Sequence, residues 1–188
     1  MKKITALLLA LALLCVCFAA CAEQATADGS PLKLDGLTLN LSAGEQYKIP
    51  AAGSGSNACI TVMPYAAQGN TSTNYNISVV LPGVSLSAET MRADTSSYKE
   101  KMIDGLKASG YQVIEFNMPG IQDIEILGKV YPALVYDMIL NFGLGDQHIY
   151  MRQYFITDKE RAITITSFNE EEMEKTVQLI TAELVWED

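Results

Sequence analysis

The sequence predicts an α+β domain built on a largely antiparallel sheet, and three observations carry that prediction. Strand-like and helical segments are segregated in the order strands, helix, strands, helix. The strand-like segments after the first helix are joined by short polar stretches such as "NFGLGD" and "DKE", which suit hairpins and not helical crossovers. The 188-residue chain is 49% hydrophobic, enough for one domain with a proper core.

The chain opens on a basic pair, Lys2 and Lys3, followed by an apolar run from Ile4 to Ala20 broken only by Thr5. A basic start, a leucine-rich centre and small residues at the end make residues 1–20 a secretory signal. The run is shorter than a spanning helix, and no basic stop-transfer cluster follows it. Cys15 and Cys17 fall inside the signal and would be discarded with it. Their spacing to Cys21 offers neither a histidine nor a second cysteine pair to complete a tetrahedral metal site. "FAAC" (Phe18 to Cys21) resembles the lipobox of bacterial lipoproteins, with Phe18 where leucine is usual. On that resemblance Cys21 becomes the first mature residue and carries a diacylglycerol lipid. The segment that follows, 21–36, has a loop composition and reads as a lipidated cysteine on a flexible tether, leaving 37–188 as the folded domain.

Within the domain, "LTLNL" and "QYKIP" flank "SAGE" and suggest an N-terminal hairpin, followed by the strand signals "ACITVM" and "NYNISVVL". Met91, Tyr98, Met102 and Leu106 form a stripe at helical spacing, which Gly110 closes. That helix has two candidate starts, a cap at Ser87 or a capping box of Ser97 with Glu100. Strand signals resume at "GYQVIEFNM", "QDIEILG", "VYPALVYDMIL", "QHIYMRQYFIT" and "RAITITSF". A closing helix starts at an Asn169 cap with Glu172 completing the box, and Met173, Val177, Ile180 and Leu184 form its apolar stripe. The acidic run Glu170–Glu172 sits at the positive end of the helix dipole and reads as a helix start, not a metal site.

The succession "YNISVVLPG", a helix, "GYQVIEF", "IEILGKVYPALVYDM", "HIYMRQYFITDKERAITITSF" and "EEEMEKTVQLITAELV" resembles the PsbP-like superfamily, which includes DcrB-type bacterial lipoproteins. The resemblance covers about residues 37–185. It implies an α/β/α sandwich around the antiparallel sheet and a non-enzymatic accessory or binding role. It supplies no catalytic motif to carry over.

Charge bounds the partners. The signal carries two of the 13 basic residues, so the mature chain has 11 basic against 22 acidic residues, a net charge of −11. That balance argues against nucleic acid and against electrostatic adhesion to anionic lipid heads, so attachment to a membrane must come from acyl chains. Cys59 is the remaining thiol and reads as a small buried hydrophobe. His148 is the single histidine, no G-x-S-x-G elbow surrounds a serine, and "GLGD" has no helix after it. Asp123 and Glu125 share a strand face and read as solvated surface.

The most distinctive chemistry is aromatic. From His148 onward one strand face carries Tyr150, Arg152 and Tyr154, and the other carries Ile149, Met151 and Phe155. In a hairpin with "VYPALVYDMIL", Arg152 meets Asp137 in one register and Tyr136 in the other. Two readings stay open: an amphipathic face lying under a helix, or a binding face of Tyr136, Asp137, Tyr150, Arg152 and Tyr154. The sequence thus leads to a lipid-anchored module facing outside the cytoplasm at the cell membrane, without catalysis or cofactor beyond the lipid, serving a protein partner of the envelope. The alternative is an envelope hydrolase or solute-binding component with a pocket on the sheet.

Overall fold

The computed structural model describes residues 22–34, 36–50, 59–79, 95–141, 143 and 145–187. The signal at 1–20, Cys21, Ser87 and Met91 lie outside the described residues. In chain order the elements are β1 (Ala22–Thr26), β2 (Leu32–Leu34), β3 (Leu37–Leu39), β4 (Gln46–Pro50), β5 (Ile60–Met63) and β6 (Asn74–Val79). Then come α1 (Thr95–Ala108), β7 (Gln112–Ile126), β8 (Lys129–Asn141), β9 (His148–Ile156), β10 (Arg161–Ser167), α2 (Glu170–Glu183) and β11 (Leu184–Trp186). Eight strands form one sheet in the order β1-β4-β5-β6-β10-β9-β8-β7, and β11-β3-β2 form a second. Every pairing is antiparallel. The expected α+β class with a largely antiparallel sheet and two helices is what the described residues adopt.

Four details depart from the sequence reading. The tether assigned to 21–36 contains two strands: β1 pairs with β4 from Ala22↔Pro50 to Thr26↔Gln46, and β2 pairs with β3. Its polar, small-residue composition hid this because an edge strand gains its backbone bonds from a distant partner and needs little apolar surface of its own. The N-terminal hairpin of "LTLNL" with "QYKIP" does not form, since β3 belongs to the small sheet and β4 to the large one. The tight hairpin is β2–β3, turning through Gly36 at φ +66°. Third, α2 stops at Glu183, and Leu184 turns directly into β11 against β3 while its N–H still reaches the Ile180 carbonyl. Fourth, α1 includes Ser97 in its interior, which excludes the capping box there.

β7 fuses two expected strands into one of 15 residues. Its register against β8 slips between Val113 and Glu115 and again between Asn117 and Gly120, around Pro119. Gly120 sits at φ +100°, and β7 is an edge strand, the place where proline and bulges are tolerated.

Alternation along the central strands creates two cores. In β8, Ala133 and Val135 join a cluster with Ile163, Ile165, Met173 and Ile180, to which α2 and the small sheet contribute. Leu134, Tyr136, Met138 and Leu140 join the other, with Met102 and Leu106 of α1. Each fully buried aliphatic side chain of this kind contributes about 1.5–3 kcal/mol relative to exposure. On the first side Tyr131 meets Trp186 edge-on at 5.0 Å, tying β8 to the small sheet.

α1 ends in a Schellman arrangement: the Gly110 N–H donates to the Lys107 carbonyl and the Tyr111 N–H to that of Leu106. Gly110 holds φ +89°, a conformation that disfavours any Cβ. The β7–β8 turn also uses positive φ, at Leu127 (+43°) and Gly128 (+75°), the pattern of a type I′ hairpin. Leucine is a poor residue there, and this one is 47% exposed. Two outcomes follow from chemical denaturation. Gly110→Ala lowers unfolding free energy by about 1 kcal/mol or more. Leu127→Asn, which suits left-handed φ, raises it by about 0.5–1 kcal/mol; a loss of stability there would contradict the turn assignment.

Candidate functional site

The register between β8 and β9 places Asp137 opposite Arg152 and Tyr136 opposite Gln153. Arg152 Nε donates to Asp137 Oδ1 at 2.5 Å and Nη2 to Oδ2 at 3.3 Å. The guanidinium also reaches α2, with Nη2 at 3.0 Å from Glu174 Oε1 and Nη1 at 3.2 Å from Oε2. One arginine therefore joins two strands and a helix, and burial of its charge is offset by the bonds to Asp137 that keep it protonated.

This geometry corrects the five-residue binding face. Tyr136 points to the opposite side of the sheet, where it is fully buried and stacks on Phe116 at 5.7 Å between ring centroids. Tyr154 is 8% exposed and part of the α2-side core, and burial raises its hydroxyl's pKa above the ordinary value. Asp137, Tyr150 and Arg152 stay together on the α2 side, half-buried, around a cavity of about 140 Å³ that Glu170 and Glu174 of α2 also line. The pleat decides this outcome, because neighbouring residues of one strand cannot share a face.

A larger groove, about 550 Å³, lies further along the same face. Ile124, Ile126, Tyr154, Ile163, Val177 and Ile180 make its apolar lining, and on β7 the exposed Asp123 and Glu125 alternate with the two isoleucines on the opposite face. The groove exists because α2 crosses the sheet without fully covering β7. At its far end the Leu127 N–H donates to the Thr181 carbonyl at 3.0 Å, tying the hairpin tip to α2.

The sequence reading missed a buried acid pair. Glu183 is 4% exposed and Glu45 is 6% exposed. Glu183 Oε2 accepts from the Tyr75 hydroxyl at 2.6 Å, while Oε1 is buried with no donor against it among the described residues. Glu45 Oε2 accepts from the Ser42 N–H at 2.5 Å. Burial, together with the mutual effect of the two acids, pushes Glu183 up to about 7 and raises Glu45 as well. A signal was present: Met173, Thr176, Ile180 and Glu183 all fall on the buried side of α2, so the carboxyl interrupts its apolar stripe. Glu45 gave no such sign, lying in a loop composition.

At the other end of α2 the Asn169 cap forms as expected, accepting from the Glu172 N–H at 3.1 Å. The reciprocal half of the box does not. Glu172 turns instead to Asn70 and to the Thr73 hydroxyl, which is 2.7 Å away, while the Asn169 N–H donates to Ser167 Oγ at 2.9 Å. These bonds pin the helix start to the loop before β6.

The remaining candidates are dispersed. His148 begins β9 opposite Asn141, Asp123 and Glu125 are exposed on β7, and Cys59 is half-buried with Sγ 4.0 Å from Asn76 Oδ1. Among the described residues no group of three or more His, Cys, Asp or Glu is placed to hold a metal ion. None of the described helices is long and apolar enough to cross a membrane.

No family model matches the chain, and no curated protein does. Among solved structures it is similar to cyanobacterial PsbP (CyanoP) from Synechocystis sp. PCC 6803, at 13% identity and a TM-score of 0.46, covering 89% of this chain and 94% of that one. It is also similar to PA94 from Pseudomonas aeruginosa, a protein of unknown function, at 16% identity and a TM-score of 0.35, covering 80% and 93%. At these values the likenesses establish neither a shared family nor a shared function.

The acid pair sets a pH dependence. Between about 4.5, the ordinary value, and about 7, the unfolded chain releases the Glu183 proton while the folded chain keeps it. Stability therefore falls as the pH rises through that window and levels off above it, and Glu45 acts in the same direction. Glu183→Gln retains an oxygen for the Tyr75 hydroxyl and removes the titration. Its thermal midpoint should change less between pH 5 and pH 8 than the parent's, measured by circular dichroism; an equal change would place the titration elsewhere.

Proposed function

We propose that this chain is a lipid-anchored module outside the cytoplasm that works by binding, not catalysis, with the α/β/α sandwich of a PsbP-like, DcrB-type lipoprotein. The observation that carries the anchoring is the signal ending in Phe18-Ala19-Ala20-Cys21, which places an acylated cysteine directly before the domain. Support for the sandwich is that side chains of α1 join one core and those of α2 the other. Support for binding is the groove of about 550 Å³ between α2 and β7.

The anchoring reading changes once β1 is counted as strand. A tether of 15 residues would let the domain stand about 50 Å from the bilayer. With β1 beginning at Ala22 and hydrogen-bonded to β4, that slack disappears, and an acyl chain on Cys21 holds the β1 edge of the sheet at the membrane surface. The net charge of −11, from 11 basic and 22 acidic residues after the signal, opposes adhesion to anionic headgroups, so the acyl chains alone keep the domain there.

The test is intact mass together with detergent phase partitioning of the expressed protein. The expected product begins at residue 21, carries the mass of a diacylglycerol modification and partitions with detergent. Cys21→Ala should move the protein to the aqueous phase or leave it unprocessed. A parent protein that is water-soluble with an unmodified first residue would remove the anchoring claim.

A further inference from the structure

The edge of the large sheet at β7 has the features of a docking strand. Among the described residues no strand pairs with its outer side. Most of β7 is blunted as edge strands usually are, by two register slips and Pro119. The stretch Ile121–Ile126 is not, since it holds regular register from Ile121↔Leu134 to Ile126↔Lys129. Every second residue there turns its backbone N–H and C=O away from β8, toward the outer side that no described strand pairs with. The neighbouring surface is apolar: Val130 on the adjacent strand is 61% exposed and Leu127 at the turn is 47% exposed.

Side chains sort by the pleat. Ile124 and Ile126 face the α2-side groove, while Asp123 and Glu125 face the other way and are exposed. β7 has no lysine or arginine at any of its 15 positions. The groove's lining, from Gln122–Gly128 of β7 and its turn to Val177–Ala182 of α2, likewise holds no lysine or arginine.

We propose that Ile121–Ile126 accepts an extended segment of a partner protein as an added strand, one that alternates apolar residues over the groove with basic residues against Asp123 and Glu125. Main-chain bonds to the free edge supply affinity, and the alternation supplies selection, as in other strand-addition sites. A second copy of this chain is a poor occupant. Continuing the sheet through its β7 sets the same acidic row against itself, and like charges across strands repel. The inference rests on the binding-module reading and names the partner's chemistry.

The experiment uses the full chain in detergent and a fluorescent heptapeptide of alternating lysine and valine. Fluorescence anisotropy should show saturable binding, and hydrogen exchange should show new protection confined to Gln122–Ile126. Methylating alternate peptide nitrogens on the pairing edge should abolish binding, because the charges persist and the donors do not. Reversing the two charges with Asp123→Lys and Glu125→Lys should weaken binding about tenfold, with near-ultraviolet circular dichroism confirming the fold. Equal binding by the methylated peptide, absence of binding by the parent peptide, or protection outside β7 would each overturn the proposal. The two readings fail separately. A correctly acylated chain that ignores the peptide removes only the docking strand, and peptide binding by a chain that is never acylated removes only the anchor.

Discussion

Adjacent residues of β8 enter opposite cores, Ala133 and Val135 toward α2 and Leu134 and Tyr136 toward α1, and most of the architecture depends on this double burial. A strand covered on both faces cannot show the polar alternation of a surface strand, which is why "VYPALVYDMIL" and "HIYMRQYFIT" are so apolar. It also obliges the polar residues among them to find partners. Gln153, 1% exposed, donates to Thr164 at 2.8 Å, and Arg152 takes Asp137 and Glu174. Removing either core would expose one face of three central strands at once.

The placement of α2 follows from that constraint and in turn creates the groove. Its N-terminus is held by Asn70, Thr73 and the Asn169 cap, its middle by Arg152, and its end by the turn into β11. Fixed at three points, the helix reaches β10, β9 and part of β7 and leaves a groove beside Ile124 and Ile126. The groove and the open strand edge are two consequences of one geometric mismatch, one helix and a three-stranded sheet laid on the broad side of an eight-stranded sheet.

The same fixed helix explains the buried acids. The chain passes from α2 to β11 without a loop, so residue 183 has to lie where the helix, the small sheet and the segment before β4 meet. The Asn40 N–H donates to the Glu183 carbonyl at 2.9 Å, and the Ala27 N–H to the Glu45 carbonyl at 2.8 Å. Two carboxyl groups thus sit at the junction that joins the N-terminal strands to the end of the chain. Raising the Glu183 carboxyl to about 7 lets it keep a proton through mildly acidic pH, which avoids the repulsion that two buried charges would impose.

What the sequence determined by itself was local. Hydrophobic period and capping chemistry placed both helices, with Asn169 as the cap of one and Gly110 as the stop of the other. Apolar runs bounded by short polar connections gave the antiparallel strands from β7 to β10 and most of the two cores. The proposed signal and the proposed lipidation of Cys21 rest on the sequence alone, because such processing acts on linear segments. What only the tertiary structure decided was pairing between distant segments. β1 was invisible because its five residues carry no apolar pattern and gain their order from β4, some twenty residues on. The choice of Asp137 over Tyr136 as the partner of Arg152, the burial of Tyr136 and Tyr154, the meeting of Glu45 with Glu183 and the uncovered edge of β7 all depend on register and on where α2 lies. Those are properties of the assembled sheet. A one-residue slip exchanges its faces without altering a single residue of the sequence, so no local pattern could have fixed them.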